Sequence, residues 1–146
     1  LSIRRQRQMC IRDRGLGVHS GDHEIYPDCR PEFYDALEHA FQVGNWDSEK
    51  VSFYLPYLEG DKETILMDAE KSLDKLNLDF DTIFANTNTS YNPDEQGRSS
   101  GKSGADIERI LAFNAIGRKD PVPYVEDWSK VLEHAIKIEK EHKEKI

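Results

Sequence analysis

Cysteine is scarce in this chain of 146 residues, which has only Cys10 and Cys29. Two thiols can form neither a disulfide framework nor a four-cysteine zinc site. Long apolar runs are also missing, since no stretch approaches the roughly eighteen apolar residues of a transmembrane helix. No basic segment followed by an apolar one resembles a secretory leader. We therefore expect a cytoplasmic protein that does not bind membranes.

Charge is abundant instead. The chain has 28 acidic and 20 basic residues, a formal net charge of -8, and 37% hydrophobic residues. This composition is polar but sufficient for one domain with a modest core. An excess of acidic residues disfavours contact with a phosphate backbone, so we expect no direct binding to nucleic acid.

Residues 1–14 (LSIRRQRQMCIRDR) differ from the rest of the chain, because they hold five of the 20 basic residues and one acidic residue. Without them, 15 basic and 27 acidic residues remain, a net charge of -12. A basic arm of this kind could bind nucleic acid. The run RRQRQMCIRDR, however, resembles a sequencing adapter translated in frame. We interpret residues 1–14 as non-native and expect them to be disordered or to pack without specificity. The native sequence would then begin near Gly15, as the C-terminal part of a longer protein.

Apolar residues recur at helical spacing in four places. The predicted helices begin at Pro31 and stop at Gly44-Asn45, follow Asp61 through Leu76, follow Ser103 up to Gly117, and follow Pro123 around a stripe from Trp128 to Ile138. Short strands are predicted at 15–18 and within 51–58, and residues 86–104 are a polar loop. Ser103 and Asp106 have the spacing of a capping box. The pattern indicates an α/β protein that is mostly helical.

Two tempting motifs are weak. Residues 97–103 (GRSSGKS) nearly match a phosphate-binding loop, but Gly97 and Gly101 enclose three residues where four are needed. His19 and His23 would share a helix face, but Gly21 between them favours a polar loop over a metal site. We interpret the first as a turn that enters a helix and predict no metal ligands in this chain.

One stretch is much more specific. Gly17-Val18, Asp22 and the pentapeptide Tyr26-Pro-Asp-Cys-Arg30 resemble the signature of the QueC family of 7-cyano-7-deazaguanine synthases. The resemblance continues, in order, through Pro56, Asp61-Lys62-Glu63, Thr89-Ser90-Tyr91-Asn92-Pro93, Arg109, Asp120-Pro121 and Tyr124. It covers about residues 17–124, so we assign residues 15–124 to a QueC-like C-terminal portion and residues 125–146 to a C-terminal helix.

The resemblance implies a Rossmann-like ATP-pyrophosphatase (PP-loop) fold and a ligase. The implied reaction uses ATP with Mg²⁺ and ammonia to convert 7-carboxy-7-deazaguanine into 7-cyano-7-deazaguanine, a step in queuosine or related 7-deazaguanine biosynthesis. The partners implied are therefore small molecules, with a homodimer possible. The alternatives are a non-catalytic binding module derived from the family and another PP-loop ATP pyrophosphatase. The pentapeptide and Asp22 argue against the last of these.

Four residues are the candidates for substrate binding: Asp22, Tyr26, Asp28 and Arg30. The two carboxylates can accept hydrogen bonds from guanine-like N–H groups, and Arg30 can bind a carboxylate or phosphate through two parallel hydrogen bonds. Tyr26 can stack on a flat heterocycle or donate its hydroxyl. The alternative is structural: Asp28 and Arg30 would cap the helix that begins at Pro31 and pair with each other. No catalytic residue is assigned.

The chain departs from the family in two respects. The Ser-Gly-Gly-x-Asp-Ser loop that the family uses for ATP is absent from these 146 residues, so we expect an incomplete ATP site. The family's four zinc cysteines correspond here to Ser90, Ser100, Ser103 and Asp106. Hydroxyls do not replace thiolates on zinc, so we predict a zinc-free variant.

Overall fold

The computed structural model describes residues 13–21 and 26–144. The chain divides into two compact units, one ending at Asp61 and the other beginning at Lys62. In the described ranges, no helix is both long and apolar enough to span a membrane. The sequence-based class, α/β with mostly helical content, is confirmed at this level.

The described residues of the first unit, 13–21 and 26–61, form two strands and one α-helix. Strand β1 (Asp13–Gly15) pairs in parallel with β2 (Ser52–Tyr54), in a register that sets Arg14 opposite Phe53. Helix α1 (Pro31–Gly44) lies in the crossover between them, and Pro31 occupies its first turn as predicted. Two short 3-10 helices, Pro27–Cys29 and Ser48–Lys50, precede and follow α1.

Packing in the first unit is sparse. The guanidinium of Arg14 lies 4.3 Å from the centre of the Phe41 ring, and Phe41 meets Phe53 edge to face at 6.1 Å. Apolar residues at helical spacing, among them Phe33, Tyr34 and Leu37, predict a buried stripe on α1. Tyr34 is buried, but Phe33 and Leu37 are exposed. Helical periodicity therefore located α1 correctly, while only part of its apolar face is covered by described residues.

Residues 62–144, the described part of the second unit, form four α-helices. They are α2 (Lys62–Leu76), α3 (Phe80–Phe84), α4 (Gly104–Ala115) and α5 (Trp128–Lys143). One apolar cluster, around Leu66 and Phe113, lies between α2, α3 and α4; another, around Ile110 and Ala135, lies between α4 and α5. The periodicity of α4 and α5 predicted the second cluster. The first cluster was predicted only on the α2 side, since Ala112 and Phe113 lie outside the predicted stripe of α4 and Leu76, at the end of the predicted α2 stripe, is exposed.

Helix α3 was not predicted, because five residues are too few for a periodic pattern. Asp79 caps it: its carboxylate accepts hydrogen bonds from the Thr82 backbone N–H at 2.7 Å and from the Thr82 hydroxyl at 2.6 Å. Those bonds lower the pKa of Asp79 below its usual value. The helix places Phe80 and Phe84 against Phe113 in an aromatic cluster.

The structure differs from the expectation for the first fourteen residues at their last two positions. Asp13 accepts a hydrogen bond from the Ser52 hydroxyl at 2.8 Å, and Arg14 stacks on Phe41, so both pack specifically in the first unit. Residues 1–12 lie outside the described residues. The non-native origin of the segment stays a prediction.

Removing residues 1–12 is expected to leave the melting temperature of the chain unchanged, because no apolar period ties them to a core. As a comparison, Arg14→Ala should lower the melting temperature by a few degrees, since it removes a cation–π contact worth about 0.5–1 kcal/mol. Thermal unfolding followed by circular dichroism measures both. A fall of several degrees on removal of residues 1–12 would show that they belong to the native fold.

Candidate functional site

The pentapeptide from Tyr26 to Arg30 forms a short exposed turn directly before α1. Its middle residues are the 3-10 helix, closed by a hydrogen bond of 2.9 Å from the Cys29 N–H to the Tyr26 carbonyl. The Arg30 carbonyl then accepts from the Phe33 N–H at 3.1 Å, which starts α1. The side chains of Tyr26, Asp28 and Arg30 are all exposed, so they are accessible to a ligand.

The structural alternative for this turn receives no support from the geometry. Arg30 occupies the N-cap position of α1 with extended backbone angles, and its guanidinium, which has no acceptor atom, makes no capping hydrogen bond. Within the described part of the chain, no hydrogen bond or ion pair joins Asp28 to Arg30. Neither side chain is therefore engaged in capping α1 or in an ion pair with the other. The fourth candidate, Asp22, lies outside the described residues.

Tyr34, one turn into α1, connects this turn to the interior of the first unit. It is buried and meets Phe33 edge to face at 5.3 Å. Burial, followed by electrostatic repulsion from Cys29 and Asp28, raises the pKa of the Tyr34 hydroxyl. Tyr34 therefore lies near enough to the turn for Cys29 and Asp28 to affect the pKa of its hydroxyl.

The segment that leads towards Asp22 is fastened to the chain after β2. The Leu16 N–H donates to the Tyr54 carbonyl at 3.1 Å, and both the N–H and the hydroxyl of Ser20 donate to the Leu58 carbonyl, at 3.0 and 2.6 Å. At Gly21 the two segments touch so closely that a Cβ atom would lie 2.6 Å from the Gly60 carbonyl oxygen. This close backbone contact fixes the position of Gly21 against Gly60 and Asp61.

Gly21→Ala is expected to lower the free energy of unfolding by about 1–3 kcal/mol, because the added methyl would displace backbone at Gly60 and Asp61. Gly17→Ala is the matched control: a Cβ there meets nothing within 4 Å, so the change should stay within about 0.5 kcal/mol. Urea unfolding of both variants measures the difference. Equal stability of the two variants would contradict the close contact.

A buried polar cluster in the second unit centres on Arg109. Its guanidinium donates to both carboxylate oxygens of Asp120, at 2.6 and 2.9 Å, to the Thr87 hydroxyl at 2.9 Å and to the Phe84 carbonyl at 3.3 Å. Arg109 and Asp120 are 7% and 1% exposed, so water contributes little to their solvation. The cluster joins α4 to the segment after α3 and to the chain between α4 and α5.

The chain after α4 is held by the same carboxylate. Asp120 accepts a hydrogen bond from the Tyr124 hydroxyl at 2.7 Å and another from the Val122 N–H at 3.1 Å. Burial, and then the negative charge of Asp120, raises the pKa of the Tyr124 hydroxyl, which therefore stays protonated as a donor. The resemblance pointed to Arg109, Asp120 and Tyr124. Thr87 carried no sequence signal, because a lone threonine in a polar loop has no distinguishing pattern.

Lys62, at the start of α2, belongs to a second interhelical contact. Its ammonium lies 2.6 Å from the Glu108 carboxylate on α4, with both side chains largely buried. The lysine was singled out by the resemblance and the glutamate was not. This ion pair joins the start of α2 to α4.

The family model described as "Queuosine biosynthesis protein QueC" matches residues 6–117 of the chain. The chain belongs to the QueC family. The family predicted from the pentapeptide is thus confirmed. The match includes the candidate turn and Arg109, and it also includes residues 6–14; it ends before Asp120 and Tyr124.

QueC-family relatives with curated names agree with this assignment. The chain is 44% identical over 108 residues to a 7-cyano-7-deazaguanine synthase of Marinomonas sp. (strain MWYL1) and 43% identical over 108 residues to 7-cyano-7-deazaguanine synthase 1 of Colwellia psychrerythraea. It is 38% identical over 107 residues to the synthase of Methanoregula boonei. These alignments cover 73–74% of this chain but only 44% of each relative, so the chain spans less than half the length of the curated relatives it matches. No solved structure matches the chain.

Proposed function

We propose that this chain is the C-terminal portion of a 7-cyano-7-deazaguanine synthase and that the Tyr26–Arg30 turn binds the 7-deazaguanine substrate. The observation that carries the proposal is the exposed turn, whose two charged side chains are engaged neither with each other nor in capping α1. Membership of the QueC family and the printed names of the relatives support it. Without the Ser-Gly-Gly-x-Asp-Ser loop, these 146 residues do not suffice for catalysis.

The proposed reaction has two activations by ATP with Mg²⁺. A carboxylate oxygen of 7-carboxy-7-deazaguanine attacks the α-phosphorus of ATP, which releases pyrophosphate and leaves an acyl adenylate. Ammonia then displaces AMP to form the amide. The amide oxygen then attacks the α-phosphorus of a second ATP, which releases a second pyrophosphate. That oxygen leaves with AMP as the nitrile forms, while the amide nitrogen loses its two protons.

The residues of the turn have distinct proposed roles. Arg30 binds the carboxylate or the acyl phosphate through its planar guanidinium, next to the N-terminus of α1 where anions are favoured. Asp28, with Asp22, accepts hydrogen bonds from the N–H groups of the guanine-like edge. Tyr26 stacks on the ring or donates its hydroxyl.

The PP-loop fold is part of the proposal. Parallel strands occur in sheets whose two faces are covered, and a two-stranded sheet is marginal by itself. The parallel pair β1–β2, joined by a crossover through α1, is therefore what a fragment of a larger parallel sheet would contain. A longer protein, such as the relatives, has the additional chain for such a sheet.

The proposal is tested in a chimera in which this chain replaces the segment it matches in the 44% identical relative. Conversion of 7-carboxy-7-deazaguanine to the nitrile is followed by mass spectrometry in the presence of ATP, Mg²⁺ and ammonia. Nitrile formation that is lost in the Asp28→Ala chimera supports the function and the site. A folded chimera that still binds 7-carboxy-7-deazaguanine but forms no nitrile would favour the non-catalytic binding module, as would an upstream gene sequence without an in-frame Ser-Gly-Gly-x-Asp-Ser loop.

A further inference from the structure

Ser90, Ser100, Ser103 and Asp106, in the second unit, stand where the family resemblance implies zinc ligands. Their donor atoms are three hydroxyls and one carboxylate, whereas closed structural zinc sites use nitrogen and sulfur ligands. Among the residues that the structure describes, no three His, Cys, Asp or Glu side chains are grouped so as to hold a metal ion. The residues present do not fit zinc.

Three of these four residues are joined by hydrogen bonds instead. The Ser103 hydroxyl accepts from the Asp106 N–H at 3.2 Å, and the Asp106 carboxylate accepts from the Ser103 N–H at 3.3 Å, which completes a capping box at the start of α4. The same carboxylate oxygen accepts from the Ser100 hydroxyl at 3.4 Å. The Ser100 oxygen in turn accepts from the Lys102 N–H at 3.2 Å. The bonds close the turn from residue 100 to residue 106.

Asp106 is the unusual member of this group because it is 1% exposed. A carboxylate removed from water in this way requires compensation by donors or by positive charge. The compensation comes from the Ser103 N–H, the Ser100 hydroxyl and the N-terminal end of α4, where negative charge is favoured. Its other oxygen, Oδ1, has no hydrogen-bond partner in the described part of the chain.

The segment on either side of Asp106 is fastened to the rest of the second unit without metal. Ser99 forms a parallel bridge to the chain at Tyr124, with hydrogen bonds from the Ser99 N–H to the Pro123 carbonyl and from the Val125 N–H to the Ser99 carbonyl. Gly101 has a positive φ and lies so close to α5 that a Cβ would approach Val131 to 2.7 Å. Backbone pairing and close packing therefore hold this segment in place.

We propose that Ser100, Ser103 and Asp106 form a carboxylate–hydroxyl lock that closes the start of α4 in place of a metal, so that the second unit folds independently of zinc. Two observations support the replacement of a metal site by this lock. No cysteine occurs from residue 62 to residue 146. The one anionic side chain of the group is buried and uses a single oxygen to accept from both serines.

The test uses the full chain, produced in zinc-supplemented medium. Zinc is measured by elemental analysis after dialysis, and melting temperatures are compared with and without a strong chelator. The unaltered chain should retain no stoichiometric zinc, and the chelator should not shift its melting temperature. Asp106→Asn should lower the melting temperature by roughly 5–15 °C, because a buried amide N–H₂ would replace a charged acceptor. Ser103→Ala should lower it by roughly 4–8 °C through loss of the cap.

The matched control is Asp127→Asn, the same exchange at the N-cap of α5, where the side chain makes no capping hydrogen bond. It should shift the melting temperature by less than about 2 °C, since the exchange removes no capping hydrogen bond. One zinc per chain combined with a chelator-induced fall in melting temperature would overturn the proposal, as would equal effects of Asp106→Asn and Asp127→Asn. If Asp106→Asn does not fold, hydrogen exchange of the Asp106 and Ile107 amides in the unaltered chain decides: a loss of protection on adding chelator refutes the lock, and unchanged protection supports it.

Discussion

Arg109→Met is expected to destabilise the second unit by about 3–5 kcal/mol, because it leaves the buried Asp120 carboxylate without its cation. Methionine keeps much of the volume of the side chain but supplies none of the donors that Asp120, Thr87 and the Phe84 carbonyl now use. Whole domains are stable by only about 5–15 kcal/mol, so this loss removes a large part of the total. Urea unfolding followed by far-ultraviolet circular dichroism measures it.

Two further variants separate the buried pair from a general effect of removing arginine. Arg98→Met disrupts an ion pair with Asp94 whose side chains are 41% and 27% exposed, and it should change stability far less. Adding Asp120→Leu to Arg109→Met should recover part of the loss, because no buried charge then lacks a partner. The recovery is incomplete, since Tyr124 and the Val122 N–H lose their acceptor. If Arg109→Met were no more harmful than Arg98→Met, the buried pair would not be what stabilises the second unit.

Local sequence signals located the long helices well. Pro31 and the Gly44-Asn45 stop match the bounds of α1, and the Ser103–Asp106 spacing matches the capping box of α4. These signals work because helix ends are determined by a few neighbouring residues that supply or relieve backbone hydrogen bonds. Helix α3 was not predicted. It has five residues, and one N-cap residue and two phenylalanines are too few to show a helical period.

Local sequence patterns could not predict contacts between residues that lie far apart in the chain. Nothing in the spacing of Thr87 and Arg109 reports that they meet, although a resemblance to a family can point to the residues involved. The strand β1 illustrates a different limit: its charged residues carry no alternation of apolar and polar side chains, and Arg14 packs through its guanidinium on Phe41. The composition of residues 1–14 had suggested that Arg14 is not native. In the structure, however, Arg14 packs on Phe41 in the first unit.

The exposed turn before α1 leads to the prediction with the largest functional effect. Arg30 has no capping bond to lose, so Arg30→Ala should leave the melting temperature of the chain nearly unchanged. In the chimeric synthase it should lower the rate of nitrile formation at least about tenfold, since a charge-assisted hydrogen bond is worth roughly 1.5–3 kcal/mol. Activity and stability should therefore separate at this residue, in contrast to Arg109, where stability is lost first.

The measurement pairs kcat/KM for 7-carboxy-7-deazaguanine with the melting temperature of each variant. Lys50→Ala is the control, because Lys50 is an exposed cation in the first unit whose ammonium contacts Asp47 at 2.8 Å, and both activity and stability should be retained. Arg30→Lys should recover only part of the rate, since an ammonium keeps the charge but cannot form two parallel hydrogen bonds to a carboxylate. Full activity of Arg30→Ala with a lowered melting temperature would mean that Arg30 only braces the turn, and the substrate would then have to be bound by other residues.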